Sequence, residues 1–206
     1  MSRFPQVRFM LSAASPEQFP ADRGAEVAFA GRSNAGKSSA LNAILVRHGL
    51  ARTSKTPGRT RLLNFFEIGT DRRVIDLPGY GYARASGTER ALWEPALEAL
   101  RSRATLRGLF LIVDARRGLS ELDQQLIAWA DPARRDVRVL LTKADKLNHA
   151  ETRAALRQAQ AQLAPGVTVQ LFSSLRGLGL EEAQKTLEAW LKIKGPDDPS
   201  GIIGAD

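Results

Sequence analysis

A lysine and two serines close the stretch Gly31-Arg32-Ser33-Asn34-Ala35-Gly36-Lys37-Ser38-Ser39, whose first eight residues read G-x-x-x-x-G-K-S. That spacing can cradle phosphate. Gly31 and Gly36 permit backbone shapes and a close anion approach that a Cβ obstructs. The loop's N–H groups and the start of a following helix would point at anionic oxygens. Lys37 would then reach the β- and γ-phosphates, and the Ser38 hydroxyl would ligate Mg²⁺. The plainer reading is a glycine-containing turn with an exposed lysine.

Further blocks add chemistry to this one. Asp76-Leu77-Pro78-Gly79 ends the apolar run Val74-Ile75. An aspartate there would hold Mg²⁺ through water, and the Gly79 N–H could approach the γ-phosphate; alone, the block is a common turn. Thr142-Lys143-Ala144-Asp145 follows Val139-Leu140-Leu141. A carboxylate at 145 can accept from guanine N1–H and its amino group, whereas adenine presents an acceptor at N1 and is repelled. The aliphatic stem of Lys143 can lie over the purine face. The alternative is a polar loop at a strand end. Ser173-Ser174, after Phe172, can present hydroxyls and amides to guanine O6. Ser54–Thr60 could fold over the γ-phosphate, with Thr56 or Thr60 completing the Mg²⁺ shell; otherwise it is a Pro-Gly turn.

These groups need a scaffold that brings strand ends together. Apolar runs predict strands at Glu26–Ala30, Leu62–Ile68, Arg73–Asp76, Gly108–Asp114, Val137–Thr142 and Val167–Phe172. Leu109-Phe110-Leu111-Ile112-Val113 reads as a central strand covered on both faces. Helices are expected at Lys37–Val46, Thr88–Arg101, Glu121–Trp129, His149–Leu163 and Leu180–Ile193. Ser120 with Asp123, and Asn148 with Glu151, supply helix starts. Ala183, Leu187, Trp190 and Leu191 share one helix face. Strand–helix alternation predicts an α/β fold, a mostly parallel sheet with helices on both faces. The expected division is an N-terminal extension at 1–24, one nucleotide-binding domain at 25–194 and a flexible tail at 195–206.

The chain has 206 residues, 43% hydrophobic and 25% charged, in the range of one globular domain. It has no cysteine and only His48 and His149, which excludes disulfides, thiolate metal sites and a His-rich centre. The composition fits the cytoplasm, with no export signal and no membrane-spanning run. The formal charge is +8. Arginines concentrate between Arg47 and Arg107 and at Arg116-Arg117 and Arg134-Arg135, which favours polyanions such as RNA; the alternative is a protein merely arginine-rich through the base composition of its genome. The two histidines read as incidental, and Trp93, Trp129 and Trp190 as helix packing residues.

Taken together, GRSNAGKSS at 31–39, TPGRTRLLNFF at 56–66, DLPGYGYA at 76–83, TKAD at 142–145 and FSSLRGLGL at 172–180 resemble a P-loop GTPase of the TrmE-Era-EngA-EngB-septin-like class. More narrowly, they resemble the EngB/YihA family of bacterial ribosome-biogenesis GTPases. The resemblance implies a Ras-like fold with a six-stranded sheet whose second strand is antiparallel. It also implies Mg²⁺-dependent hydrolysis of GTP to GDP and phosphate, a role in large ribosomal subunit assembly, and a link to cell division and septation. It makes Thr60 the switch threonine. With Lys37 and Gly79, Thr60 forms the expected catalytic set, and Gly58, Arg59, Arg61 and Leu62 join the nucleotide contacts.

Two departures from the general GTPase pattern carry consequences. Thr142 stands where most carry Asn, and a hydroxyl cannot reproduce the amide's two bridging bonds. Tyr80 stands where Ras-type proteins carry the water-positioning Gln, so unassisted turnover is expected to be slow, about 10⁻⁴–10⁻² s⁻¹. Asn34 suggests a K⁺ ion between the phosphates, as in related GTPases with the same loop; an asparagine chosen for loop conformation is the alternative. The leading expectation is a monomeric switch: GTP orders residues 54–61 and 79–87, beside Arg52, Lys55, Arg59, Arg61 and Arg84, and this surface docks on the large subunit or its precursor. A P-loop kinase, or an RNA-binding scaffold with structural nucleotide, are the alternatives.

Overall fold

Residues 106–114 have almost no polar face to give to water, and that decides where they lie. The computed structural model describes residues 4, 7–47, 49–50, 62–80, 94–131 and 134–192. Its strands are β1 (Arg8–Ala13), β2 (Ala25–Gly31), β3 (Leu63–Gly69), β4 (Arg72–Asp76), β5 (Leu106–Asp114), β6 (Asp136–Thr142) and β7 (Val167–Leu171). They form one sheet in the order β1-β3-β4-β2-β5-β6-β7. β4, β2, β5, β6 and β7 run parallel; β3 is antiparallel to β4, and β1 to β3.

Period-two alternation splits the core in two. Val27 and Phe29 of β2 join Phe110 and Ile112 of β5 on one face. There they meet α1 (Lys37–Ile44) through Leu41 and Ile44, and α5 (Leu180–Leu191) through Ala183, Leu187 and Leu191. Ala28 and Ala30 join Leu109, Leu111 and Val113 on the other face. They pack with residues of α2 (Glu94–Ser102), α3 (Glu121–Ala130) and α4 (His149–Gln162). Both anticipated helix starts carry full capping boxes, Ser120 with Asp123 and Asn148 with Glu151. Trp129 and Trp190 are half-buried in helices, and Trp190 packs on Phe110 with ring centroids 4.7 Å apart.

Among the described residues the sheet has seven strands rather than six. Arg8–Ala13, read as part of an extension, forms the edge strand β1. Its sequence lacks clean alternation because an edge strand buries little: Arg8, Phe9 and Met10 are all exposed. A register irregularity between Phe9 and Leu11 breaks the pattern further. The antiparallel second strand of the resemblance is β3. Helix ends shift by one or two residues, as α1 stops at Ile44 and α5 at Leu191. The expected helix start at Thr88, Trp93, His48, residue 193 and the tail 195–206 lie outside the described residues.

Candidate functional site

Every described candidate residue sits at or just beyond the C-terminal edge of the parallel strands, where open α/β sheets bind ligands. The phosphate-type loop leaves β2, Asp76 ends β4, Thr142 ends β6, and Phe172 follows β7. The two framing glycines have different reasons. Gly36 has φ +98° and caps α1 in a left-handed conformation that a side chain resists. Gly31 is required by its neighbour: a Cβ there would lie 2.7 Å from the Ile112 carbonyl oxygen on β5. Asn34 has φ +66°, a conformation that asparagine tolerates better than most residues.

Lys37, in the first turn of α1, forms an ion pair and hydrogen bond with Asp76 Oδ1. Their side chains are only 12% and 10% exposed. β2 and β4 bring them together, with Phe29 opposite Asp76 in the register and Leu77 N–H donating to the Phe29 carbonyl at 2.9 Å. Ser38 is half-buried and Ser39 exposed in the same turn. The Ser38 hydroxyl and the Asp76 carboxylate are hard oxygen donors of the kind magnesium takes. Gly79 is exposed and lies against the loop, where an added Cβ would be 3.0 Å from Ser33 Oγ.

The base-side block is tied directly to the phosphate-side loop. The Thr142 hydroxyl lies within hydrogen-bond reach of the Ala35 carbonyl and of the Val113 carbonyl, the latter at 3.0 Å. The hydroxyl thus reaches toward both neighbours, while the expectation that it cannot make the amide's two bonds at once stands. One buried hydroxyl contacts the loop and β5 together, although its single proton serves one acceptor at a time. Lys143 reaches across as well, donating to the Asn34 carbonyl at 2.6 Å and to Asp114 Oδ2 at 2.9 Å. Its stem is thereby stretched between the base-side turn and the loop. Asp145 Oδ1 accepts from the Ser173 hydroxyl at 2.6 Å, and that bond holds the Asp145 carboxyl below its usual range. Ala144 N–H donates to the Phe172 carbonyl at 3.2 Å. Phe172 and Ser173 are buried, and Ser174 is exposed.

Two residues here escaped the motif reading. Asp114, at the end of β5, accepts from Arg116 Nε and Nη2 at 2.9 and 2.7 Å and pairs with Lys143. Burial would raise its carboxyl, but the bonds from Arg116 and Lys143 outweigh this and hold it well below the carboxylate range. Its signal in the sequence was an acid at the end of the most apolar strand. Asp123, read only as a helix-start residue, accepts a hydrogen bond from the Tyr80 hydroxyl. The phenol at the water-positioning place is therefore engaged elsewhere. Among the remaining candidates, Leu62 is half-buried beside β3, while Thr56, Gly58, Arg59, Thr60 and Arg61 lie outside the described residues.

The family model for 50S ribosome-binding GTPases matches residues 26–143. A curated relative from Pseudoalteromonas atlantica, "Probable GTP-binding protein EngB", is 50% identical over 194 residues, covering 92% of this chain and 94% of that protein. A crystal structure of a probable GTP-binding protein engB shares the fold, with TM-score 0.62 and 21% identity over 82% of this chain and 100% of that one. Era in complex with MgGDPNP and nucleotides 1506–1542 of 16S ribosomal RNA has TM-score 0.61 and 26% identity, over 88% of this chain and 61% of that one.

Proposed function

This chain belongs to the EngB family of 50S ribosome-binding GTPases, and from that premise we propose that it is a GTP-operated switch in assembly of the large ribosomal subunit. The observation that carries the site assignment is the pair of tethers from Thr142 and Lys143 to the carbonyls of Ala35 and Asn34. They fix a base-selecting carboxylate, Asp145, relative to a phosphate-binding loop. Gly31, Arg32, Ser33, Asn34, Ala35, Gly36, Lys37 and Ser38 cradle the phosphates. Asp145, Ser173 and Ser174 read guanine, and the stem of Lys143 covers the purine face.

Magnesium fits the oxygen donors present: Ser38 would hold it directly and Asp76 through water. When bound it neutralises charge developing on the phosphates. Lys37, now paired with Asp76, is within reach of the same space and supplies the other positive charge. Gly79 N–H holds the terminal phosphate. With the phenol of Tyr80 committed to Asp123, no side chain of the Asp76–Tyr80 block is left to orient water, which supports slow unassisted turnover. The expected switch threonine Thr60 and most of the responsive segments 54–61 and 79–87 lie outside the described residues. A net charge of +8 supports an RNA-rich partner. Action in the cytoplasm as a monomer and a link to cell division belong to the same proposal. A K⁺ ion at Asn34 is its least supported part, since the left-handed backbone already explains that residue.

Titration of GTP, GDP and ATP against the parent protein and Asp145→Ala tests the assignment. The parent binds guanine nucleotides and discriminates against ATP; the variant loses at least tenfold in guanine preference. A parent that binds ATP equally well refutes it. Co-sedimentation with 50S particles is expected to be stronger with a GTP analogue than with GDP, and indifference to the nucleotide refutes the switch. Equal hydrolysis in KCl and NaCl, with and without those particles, removes the K⁺ ion.

A further inference from the structure

Tyr80 is held from three sides. Its carbonyl accepts the Ser33 N–H of the phosphate loop at 2.9 Å. Its ring packs on the apolar cluster beneath α3. Its hydroxyl donates to Asp123 Oδ1. Asp123 is itself fixed: it is 3% exposed, and its second oxygen accepts from Ser120 N–H at 2.7 Å and Ser120 Oγ at 2.6 Å. Standing in the first turn of α3, its charge is further favoured by the helix dipole. Burial and then the adjacent carboxylate push the Tyr80 phenol far above its ordinary range, so it remains a donor. One peptide unit before this anchored tyrosine comes Gly79, the residue with the most conformational freedom to lose. It is exposed, yet pressed against Ser33.

We propose that Asp123 is a positioning residue for the GTPase site: through the Tyr80 hydroxyl it holds Gly79 beside the phosphate loop, so that the Gly79 amide is in place before a terminal phosphate arrives. The proposal rests on the nucleotide-site reading above. Its energetic content is preorganisation. Without the clasp, the freedom of residues 79 and 80 must be lost during binding, and the loss falls on a triphosphate, which Gly79 touches, and not on a diphosphate. The clasp also gives α3 a mechanical link to the phosphate-sensing turn, with no direct contact between helix and nucleotide required.

The test uses full-length protein with Mg²⁺, GDP and a non-hydrolysable GTP analogue. The variants are Tyr80→Phe, Asp123→Asn, their double mutant and Ser120→Ala. Tyr80→Phe keeps the ring's packing and removes only the hydroxyl. Ser120→Ala removes one of the two Ser120 bonds to the other carboxylate oxygen and leaves the Ser120 N–H and Tyr80 hydroxyl bonds to Asp123 in place. The expected result is a fall of about three- to tenfold in analogue affinity for Tyr80→Phe and for Asp123→Asn, with GDP affinity within about twofold of the parent. The double mutant should fall no further than either single mutant, and Ser120→Ala should keep the parental analogue-to-GDP ratio. An unchanged or increased ratio, additive losses, or a Ser120→Ala ratio like that of Tyr80→Phe overturns the proposal. Should Asp123→Asn fail to fold, Tyr80→Phe against Ser120→Ala decides alone. A parent that binds neither guanine nucleotide defeats the site reading itself, a result distinct from all of these.

Discussion

Asp114 shows how a single carboxylate can set the geometry of a neighbour that a motif names. Lys143 is legible in the sequence, but where its ammonium stands depends on Asp114 and on the Asn34 carbonyl. The Asp114 carboxyl is held below its unfolded value of 3.8. A depressed folded-state value contributes stability that is fully present above pH 3.8 and is lost as the pH falls through the folded value. Denaturant unfolding of the parent should therefore show stability declining below about pH 4. Asp114→Asn should flatten part of that decline, while the other depressed carboxyls, Glu17, Asp22, Glu98 and Asp145, retain their share. An identical slope in the variant would contradict the pairing. Lys37, Asp76 and Asp145 could be proposed from residue type and spacing, because phosphate, a hard cation and guanine each demand particular donors and acceptors. The bridging by Thr142 could not, because a hydroxyl's reach depends on how near the Ala35 carbonyl comes.

At the scale of elements, the sequence was most readable where burial is complete. β5 is buried along its length except at Arg107, and its apolar run announced it. α5 buries the face that its spacing predicted. β1 was missed because an edge strand exposes too much to leave a pattern. The packing of α5 on β5 leaves no room at Gly108, where an added Cβ would lie 2.6 Å from Trp190 Cε3. Gly108→Ala must displace the indole from Phe110, at a cost of about 1–3 kcal/mol for overpacking a filled core. Thermal or urea unfolding would measure it, and a variant as stable as the parent would mean that the helix shifts freely. Because α5 follows the Ser173–Leu178 turn, the same displacement is expected to weaken guanine binding more than it alters the Lys37–Asp76 side.

Over the whole molecule, the end of the sheet opposite the site is closed by a buried ion cluster. Glu26 is fully buried. It accepts from Arg73 Nη1 at 3.0 Å, from Arg103 Nε and Nη2 at 2.6 and 2.9 Å, and from Thr105 Oγ1 at 2.7 Å. Arg103 also donates to the carbonyls of Pro20 and Ala21, which ties the segment before β2 to the sheet. Glu26→Ala would leave two guanidiniums without their shared carboxylate, and breaking such a pair costs about 3–5 kcal/mol. Urea unfolding should register that loss, and one below about 1 kcal/mol would refute the cluster's role. By itself the sequence determined the strand–helix alternation, the glycine-lysine loop between strand and helix, and the family, because those follow from local periodicity and from motif spacing. Only the tertiary structure decided that β1 completes the sheet, that Thr142 and Lys143 lash the base-side turn to the phosphate loop, and that Asp123 grips Tyr80. These contacts join residues 29 to 109 positions apart, and local pattern carries no information across such distances until the two-faced core has brought the strand ends together.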